Sequence, residues 1–499
     1  MLSAISVILR GIGVSFNAYI NDKIGSESMG LFTLVMSIYG FALTVALSCV
    51  NLGAVKLTSE RCARLTEAGA DKKSWQKALR SLMLAVCSYS ALFGIGAGVL
   101  LYFLSSPIAK YLLRDIRCVT SLKLISLSLP AIAFSSAIAG FFTGMRKVYK
   151  NAVASVSEQL VRIVVISTAL FMLSPGEVEK ACTAVVGGSA LSEAWSLIIN
   201  FLMYLFDSKK PGDVSYGKNQ LTLVTTFKNI ADISFVASVG NYARQGLSTL
   251  EHLAIPAGLK KSGLDTASAL SAYGLLHGIA FPLVMFPYAV IGSFTSLLIP
   301  EMAERHELGD REGIRRLTLA VYRYSALFSV GACAVFVNYA SELGQAVYHS
   351  GEAAMYTLTL GLLTPFMYLD TAVDSLLKGL GEQVYNMKVN IADSAAGLLL
   401  VLILTPMLGL KGYIITLWVC ETANLAASFY RLYSITSVSV RELLGYYAFP
   451  FVVFGIITVL KFTLLSKMKP YISFAVFISI YISAVVIYEI KKKRDSVRN

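Results

Sequence analysis

The sequence predicts an all-α polytopic membrane protein: fourteen transmembrane helices in two pseudo-symmetric six-helix lobes, followed by two extra C-terminal helices. Three observations support this fold class. Of the 499 residues, 56% are hydrophobic and only 15% are charged, whereas soluble domains contain about 25% charged residues. Fourteen apolar stretches are long enough to cross a bilayer, which takes roughly 20 residues. The chain also contains an internal repeat.

The fourteen spans follow one another with short connections, so no soluble domain is expected. In chain order they are 2–21, 29–55, 80–104, 120–144, 151–173, 181–206, 225–255, 268–300, 316–339, 352–378, 384–405, 410–431, 442–465 and 471–490. The apolar segment that contains the first span begins at residue 1, is interrupted by Arg10 and lacks a small-residue cleavage site. It is therefore predicted to be a retained helix rather than a signal peptide.

The eighth span is predicted to be a bent helix that lines a cavity. It carries no charge before Glu301 and contains Gly278, Pro282, Pro287 and Gly292. Membrane helices tolerate such breakers where neighbouring helices or cavity water satisfy the freed backbone groups.

The repeat relates the two halves of the chain at an offset of 235 residues. LAVCSYSALFGIGA (84–97) matches LAVYRYSALFSVGA (319–332), and the same offset carries Pro130 onto Pro365 and Gly144 onto Gly379. Further upstream, LTSE (57–60) is aligned with LIPE (298–301). Six helices separate the copies, so both have the same orientation, an arrangement that transporters use to form a midplane site between two lobes.

The repeat defines the predicted domain organisation. It comprises an N-lobe at 1–206, a cytoplasmic linker at 207–224, a C-lobe at 225–435, helices 13 and 14 within 436–490, and a basic tail at 491–499.

The distribution of charge predicts the orientation. The loops and tail on one side hold 27 Lys and Arg and those on the other hold about 12, so both termini are predicted to be cytoplasmic. The net charge of +13 therefore indicates topology rather than nucleic-acid binding. Seven scattered cysteines without a C-x-x-C pair argue against zinc and disulfide frameworks, and no loop carries a catalytic cluster, so an enzyme is not expected.

Charged side chains inside spans are costly and usually face a wet interior. Arg10 and Arg244 have no acidic residue one turn away, and their planar guanidinium groups suit a diphosphate; Arg162 is the third predicted substrate-binding arginine. The predicted gating or coupling residues are carboxylates in spans five, six, seven, ten and twelve: Glu158, Glu193, Glu251, Asp370, Asp374 and Glu421. Glu158 and Arg162 alternatively form a neutralising i,i+4 pair, and Glu193 and Glu421 alternatively serve as protonated helix contacts.

Two stretches resemble a known family. The G-x-E-x-M-G-L-F entry to the second span (25–32) and the YG-x-L-x-G-x-A-x-P-L-x-x-x-P run of the eighth (273–287) resemble the polysaccharide-transporter branch of the multidrug/oligosaccharidyl-lipid/polysaccharide exporter superfamily. They are particularly similar to the stage V sporulation protein B family. The likeness covers almost the whole chain and implies two lobes, alternating access and flipping of undecaprenyl-diphosphate-linked sugars.

The resemblance also concerns individual positions. Relatives of the lipid II flippase type carry an Arg-x-x-Gly that Arg10 and Gly13 match, and a second arginine where this chain has Phe16 and Asn17. Some such flippases bind sodium between helices 7, 11 and 12, which makes four residues here metal candidates: Asp232, Asn390, Asp393 and Thr416.

The leading functional hypothesis is a monomeric flippase for an undecaprenyl-diphosphate-linked sugar in the bacterial cytoplasmic membrane. It would need no cofactor beyond a sodium or proton coupling ion, and no nucleic acid. The alternatives are a cation-coupled multidrug antiporter of the same superfamily and a non-transporting scaffold for cell-wall synthesis.

Overall fold

The computed structural model describes residues 2–67, 72–172, 177–207, 223–348, 351–436, 438 and 440–498, which contain helices and no strand. The first seven α-helices are α1 Leu2–Leu47, α2 Val50–Glu67, α3 Lys72–Pro107, α4 Cys118–Ser126, α5 Leu129–Gly144, α6 Val148–Phe171 and α7 Val178–Asp207. The next five are α8 Leu223–Lys261, α9 Thr266–Tyr273, α10 Phe281–Met285, α11 Tyr288–Glu307 and α12 Arg311–Tyr348. The last five are α13 Gly351–Gly379, α14 Gln383–Leu408, α15 Leu410–Thr436, α16 Val440–Thr463 and α17 Pro470–Arg498.

The predicted all-α membrane architecture is confirmed. Ten stretches of the described chain are helical, long and apolar enough to cross a membrane, and each of the fourteen predicted spans falls on helix. The three spans that lie outside those ten stretches are on α8, α13 and α15. These are also helices that carry charged residues at predicted site positions.

The second predicted span is divided in the structure. Gly25 has a φ of +78°, which kinks α1 between the first and second spans. Ser48 and Cys49 then adopt left-handed φ values of 38° and 54°, so the predicted helix at 29–55 breaks there and α2 begins at Val50. Apolar composition alone does not reveal this break because neither residue is a Gly or Pro.

The eighth predicted span is bent, as the sequence indicates. Asp265 caps α9, and the hydrogen bonds that its carboxylate accepts from Ser268 and Ala267 lower the pKa of Asp265. A π-helical segment, Gly274–Ala280, follows directly. Pro282 then lies in the first turn of α10, and Pro287 precedes α11. Proline is tolerated at helix starts because it has no amide hydrogen to leave unpaired.

Contacts divide the chain into two compact units. The first unit contains residues 1–5, 23–257 and 265–274, and the second contains 6–22, 258–264 and 275–499. The first half of α1 therefore belongs to the second unit, whereas most of α8 belongs to the first. The N-lobe and C-lobe of the sequence analysis stay a prediction.

The internal repeat is visible as the same helix–turn–helix in both units. In the first unit, the amides of Met145, Arg146 and Lys147 donate to the carbonyls of Phe141, Thr143 and Phe142. In the second, the amides of Leu380, Gly381 and Glu382 donate to Leu376, Lys378 and Leu377. Each of these six positions is related to its counterpart by the predicted offset of 235 residues.

A side-chain bond accompanies each turn. The Asn151 side-chain amide donates to the Ala139 carbonyl at 3.0 Å, and that of Asn386 donates to the Asp374 carbonyl at 3.0 Å. Both bonds span twelve residues and join the helix before the turn to the helix after it. The two hairpins are therefore held by the same interaction.

Gly144 and Gly379 end the first helix of the two hairpins, and each allows a neighbouring helix to pack closely. Their contacts also show how the upstream segments of the repeat align. A Cβ at Gly144 would lie 2.9 Å from the Val55 carbonyl oxygen, and one at Gly379 would lie 3.0 Å from that of Ile299. Val55 is thus the counterpart of Ile299. The alignment of LTSE with LIPE is wrong by three residues, about one helical turn, which keeps the same helix face and so escapes sequence comparison.

Arg146 and Gly381 occupy equivalent left-handed positions, with φ values of 59° and 82°. Left-handed backbone costs a residue with a Cβ roughly 1–2 kcal/mol. We expect Gly381→Ala to lower the stability of the purified protein by about 1 kcal/mol. We expect Arg146→Gly to raise it by about 0.5 kcal/mol, because the relief of strain exceeds the entropy that glycine adds to the unfolded chain. Denaturation in detergent measures both.

Gly96→Ala is the matched control for this pair, because a Cβ there meets nothing within 4 Å and alanine is the better helix former. A Gly381→Ala variant as stable as Gly96→Ala would contradict the strained-turn interpretation.

Candidate functional site

Arg162 forms a polar cluster with residues of α6 and α7 in the first unit. Its Nη2 lies 2.7 Å from Oε1 of Glu158, and its Nε donates to the Ser192 hydroxyl at 3.2 Å. Glu158 lies one turn before Arg162, so helical spacing positions this pair. The structure brings the two together as the neutralising alternative describes.

Glu193 is adjacent to Ser192 and is almost fully buried, at 6% exposure. The Tyr39 hydroxyl donates to its Oε2 at 2.7 Å and also lies 3.3 Å from the Ser128 hydroxyl. A buried carboxyl needs such donors because it has lost its water shell. Glu193 therefore joins α1, α7 and the segment before α5 in one buried polar network.

The candidates on α8 are more open. Asp232 and Arg244 are exposed, and Glu251 is half-buried. Within the part of the chain that the structure describes, neither Asp232 nor Arg244 forms an ion pair. Arg244 thus retains an uncompensated charge, as its lack of acidic neighbours along the helix predicts.

Arg10 lies in the second unit and is exposed. Its guanidinium carbon is 6.0 Å from the centre of the Tyr288 ring, a distance at which a cation is attracted to an aromatic face. The Tyr288 hydroxyl accepts a hydrogen bond from Thr371 at 3.0 Å, which fixes the ring. Among the described residues, Arg10 has no acidic ion-pair partner.

A large apolar cavity lies in the second unit beside Arg10. Its volume is about 1000 Å³, the upper end of the range for small-molecule sites. Its walls are formed by parts of α1, α11, α12 and α17. They include Gly11 and Ser15 of α1, Pro287 before α11, Phe328 of α12 and Phe474 of α17. The cavity therefore begins one residue from Arg10.

Glu489 is the only charged residue among the described residues that line this cavity. The Arg323 Nε donates to its Oε1 at 2.6 Å, and a second ion contact joins the same two side chains. The Arg323 guanidinium also lies 5.8 Å and 5.7 Å from the rings of Tyr324 and Tyr488. Arg323 thus neutralises the one charge in the cavity wall.

The second unit also contains an acidic cluster on α13, α14 and α15. The Asn424 amide donates to Oδ2 of Asp370 at 3.2 Å, and the Ser428 hydroxyl donates to Oδ1 of Asp374 at 3.3 Å. The Asn390 amide lies 3.5 Å from Oδ2 of Asp374. Both carboxylates are half-buried, and they lie one helical turn apart on α13.

The structure brings only part of the predicted sodium set into this cluster. Asn390 contacts Asp374, while the buried Thr416 hydroxyl donates to the Gly412 carbonyl of its own helix. Asp393 is half-buried and makes contacts of its own, and Asp232 is in the first unit. Glu421, a predicted gating residue, is half-buried on α15 with contacts of its own.

Several residues at these sites were not predicted from the sequence. They are Tyr39 beside Glu193, Tyr288 beside Arg10, Arg323 with Glu489 at the cavity, and Asn424 with Ser428 in the acidic cluster. Arg323 offered a partial signal, because a charged residue between two tyrosines lies seven residues inside a predicted span. The tyrosines and Ser428 are of types common in any membrane helix.

Relatives confirm the resemblance inferred from the sequence. Stage V sporulation protein B of Bacillus subtilis strain 168 is 25% identical over 484 residues, which cover 95% of this chain and 89% of that protein. Sporulation protein YkvU of the same organism is 22% identical over 241 residues, covering 48% of this chain and 52% of the relative.

Solved structures share the fold. Lipid II flippase MurJ in an inward closed conformation matches with a TM-score of 0.69 and 13% identity, covering 99% of each chain. An inward-facing multidrug resistance MATE family transporter of the MOP superfamily matches with a TM-score of 0.63 and 13% identity, covering 88% of this chain and 96% of that one. These two proteins are a flippase and a transporter, and this chain shares their fold.

The polysaccharide biosynthesis protein family matches residues 1–306, which is more than half of the chain. The protein described here is therefore a multi-pass membrane protein that belongs to the polysaccharide biosynthesis protein family and has the fold of the MOP superfamily.

Proposed function

We propose that this protein is a flippase that moves an undecaprenyl-diphosphate-linked sugar across the bacterial cytoplasmic membrane by alternating access. The sugar belongs to a peptidoglycan precursor or a polysaccharide repeat unit. The flippase acts as a monomer. Both of its termini lie in the cytoplasm, as the positive-inside distribution of Lys and Arg favours.

The observation that carries the proposal is an apolar cavity of about 1000 Å³ that begins one residue from Arg10. A lipid-linked sugar has a long hydrocarbon tail that ends in a diphosphate. Apolar walls suit the tail, because hydrocarbon leaves no polar group of the wall without a hydrogen-bond partner. A guanidinium group at one end suits the diphosphate, because it donates two parallel charge-assisted hydrogen bonds.

The charge of the cavity distinguishes this function from cation-coupled multidrug export. An exporter of cationic drugs needs exposed carboxylates in its cavity. Here Glu489 is paired with Arg323, and Arg10 adds positive charge beside the cavity. The local field therefore favours an anionic ligand.

The three predicted arginines would contribute unequally. Arg10 and Arg244 are exposed and free of ion pairs within the described chain, so each has donors available for a phosphate. Arg162 already donates to Glu158 and Ser192 and would have to exchange those partners. We therefore assign Arg10 and Arg244 the main substrate contacts and Arg162 a secondary one.

The predicted gating residues would respond to the transport cycle through hydrogen bonds. Glu193 is the strongest of them, because Tyr39 and Ser128 connect it to two other helical segments. Glu158 would couple Arg162 to that network. Glu251 and Glu421 stay predictions of the same role on α8 and α15.

Arg10→Ala and Arg244→Ala should each slow translocation of a fluorescent undecaprenyl-diphosphate-linked sugar in proteoliposomes by roughly 10- to 100-fold. One lost charge-assisted hydrogen bond is worth about 1.5–3 kcal/mol, and 1.4 kcal/mol is tenfold. Arg316→Ala is the control, because within the described chain this exposed arginine pairs with Glu312 on its own helix. Unchanged rates in both substrate-site variants would reject the assigned contacts.

Ala332→Phe should reduce translocation of the long-chain substrate about tenfold, because the ring fills part of the cavity that Ala332 lines. A short-chain analogue bearing the same diphosphate sugar should be affected much less. Val99→Phe places the same ring at an exposed position of α3 and should leave both rates unchanged. Equal losses with long and short chains would show that the cavity does not hold the tail.

Depletion of the protein in its host identifies the sugar. One undecaprenyl-linked intermediate should accumulate on the cytoplasmic side, and extraction followed by mass spectrometry would name it. Loss of cell-wall assembly without any accumulated intermediate, together with proteoliposomes that never translocate, would support the scaffold instead.

A further inference from the structure

Cys118 and Cys182 lie at the start of two neighbouring helices of the first unit. Cys118 is the first residue of α4, and Cys182 is the fifth residue of α7. Both side chains are fully buried, and both are thiols in the structure. Because 64 residues separate the two cysteines, no short motif draws attention to the pair in the sequence.

Polar and apolar contacts hold α4 beside α7 close to the two cysteines. The Ser121 hydroxyl on α4 donates a hydrogen bond to the Cys182 sulfur at 3.6 Å and lies 3.1 Å from the Thr183 hydroxyl. Further along, a Cβ at Gly187 of α7 would lie only 2.8 Å from Leu124 of α4. Higher residue numbers on α4 thus meet higher numbers on α7, so the two helices run parallel and start on the same side.

Helical spacing places Cys118 beside the contact between Ser121 and Cys182. Cys118 comes three residues before Ser121, and residues three apart are neighbours on one helix face. The two thiols are close enough to interact electrostatically. Small residues such as Ser121 and Gly187 let helix backbones approach closely, and a disulfide needs Cα atoms no more than about 7 Å apart. The interface therefore brings the two thiols together between closely packed helices.

The side of the membrane on which α4 and α7 begin decides the redox state of the pair. With both termini in the cytoplasm, the fourth and sixth predicted spans, 120–144 and 181–206, each begin at the outer face. Thiols stay reduced in the cytosol, whereas disulfides form and persist outside it. The inference rests on this orientation, which is part of the proposed function, and not on the substrate.

We propose that Cys118 and Cys182 form a disulfide that joins the outer ends of α4 and α7. The oxidant is the disulfide of a thiol-exchange protein at the outer face. One thiolate of this chain attacks that disulfide, which forms a mixed disulfide and releases one sulfur of the oxidant as a thiolate. The second thiolate of this chain then displaces the other sulfur. Two thiols are thereby oxidised, the oxidant is reduced to a dithiol, and the two thiol protons end on the oxidant.

The disulfide extends a contact that already joins α1 to the segment before α4. Arg117, next to Cys118, pairs with Asp115 at 2.7 Å and with Glu27 of α1 at 3.0 Å. The disulfide adds α7 to this group through Cys182, so the outer ends of α1, α4 and α7 are held as one block. Because both sulfurs are buried once the helices pack, the exchange takes place while the chain inserts and folds.

Counting free thiols in membranes of the host tests the proposal. The full chain is denatured in detergent and labelled with polyethylene glycol maleimide, with and without prior reduction. The wild type has seven cysteines, so it should carry five labels without reduction and seven after it. Cys118→Ser and Cys182→Ser should each carry six labels in both samples. Mass spectrometry of the unreduced wild type should find a peptide that joins Cys118 to Cys182.

Cys62→Ser is the matched control, because it removes a cysteine from α2 and should still gain two labels on reduction. Ser466→Cys tests the orientation separately. This exposed position lies between α16 and α17, so it should react with a membrane-impermeant maleimide in intact cells.

Seven labels on the wild type without reduction would overturn the proposal, and Ser466→Cys then identifies the cause. If Ser466→Cys is labelled from outside, the pairing of the two helices is wrong while the orientation in the proposed function holds. If it is not labelled, the orientation is wrong as well. Two labels still gained on reduction by Cys118→Ser would show a different disulfide and would also overturn the proposal.

Discussion

The structure depends on one constraint: hydrocarbon offers no hydrogen-bond partners, so every polar group in a span must find one within the protein. Each unit meets this constraint with small networks that connect helices. Glu193 accepts a hydrogen bond from the Tyr39 hydroxyl, Arg162 of α6 donates one to Ser192 of α7, and Asp374 accepts one from Ser428. These bonds fix which helices are neighbours, because an alternative packing would leave charges without partners. Arg10 and Arg244 form no ion pair within the described chain, and their exposed charge is available to a phosphate ligand.

Much of the fold could be predicted because membrane spans are encoded locally. Hydropathy located the helical segments, Pro282 and Pro287 located the bend, and i,i+4 spacing located the pair of Glu158 and Arg162. Each of these depends only on residues close in sequence. The break at Ser48 and Cys49 escaped because these residues adopt a left-handed backbone without glycine.

The candidate site was harder to predict because its contacts join distant segments. Glu489 is 166 residues from Arg323, and Glu193 is 154 residues from Tyr39. Such pairs depend on how helices pack, and spacing along one helix does not determine that. The cavity has no local signal either, since the apolar residues that line it resemble those that face lipid. The four sodium candidates, which were inferred from the family resemblance, were also chosen without knowledge of the helix packing. Asn390 contacts Asp374 of α13, and that set does not include Asp374.

Helix α17 lies outside the predicted repeat, yet Tyr481 and Glu489 on it form part of the cavity wall, and Tyr481 packs against Gly331 of α12. A chain that ended before α17 would therefore lack one wall of the cavity. The last helix is thus part of the chamber itself rather than an accessory to it.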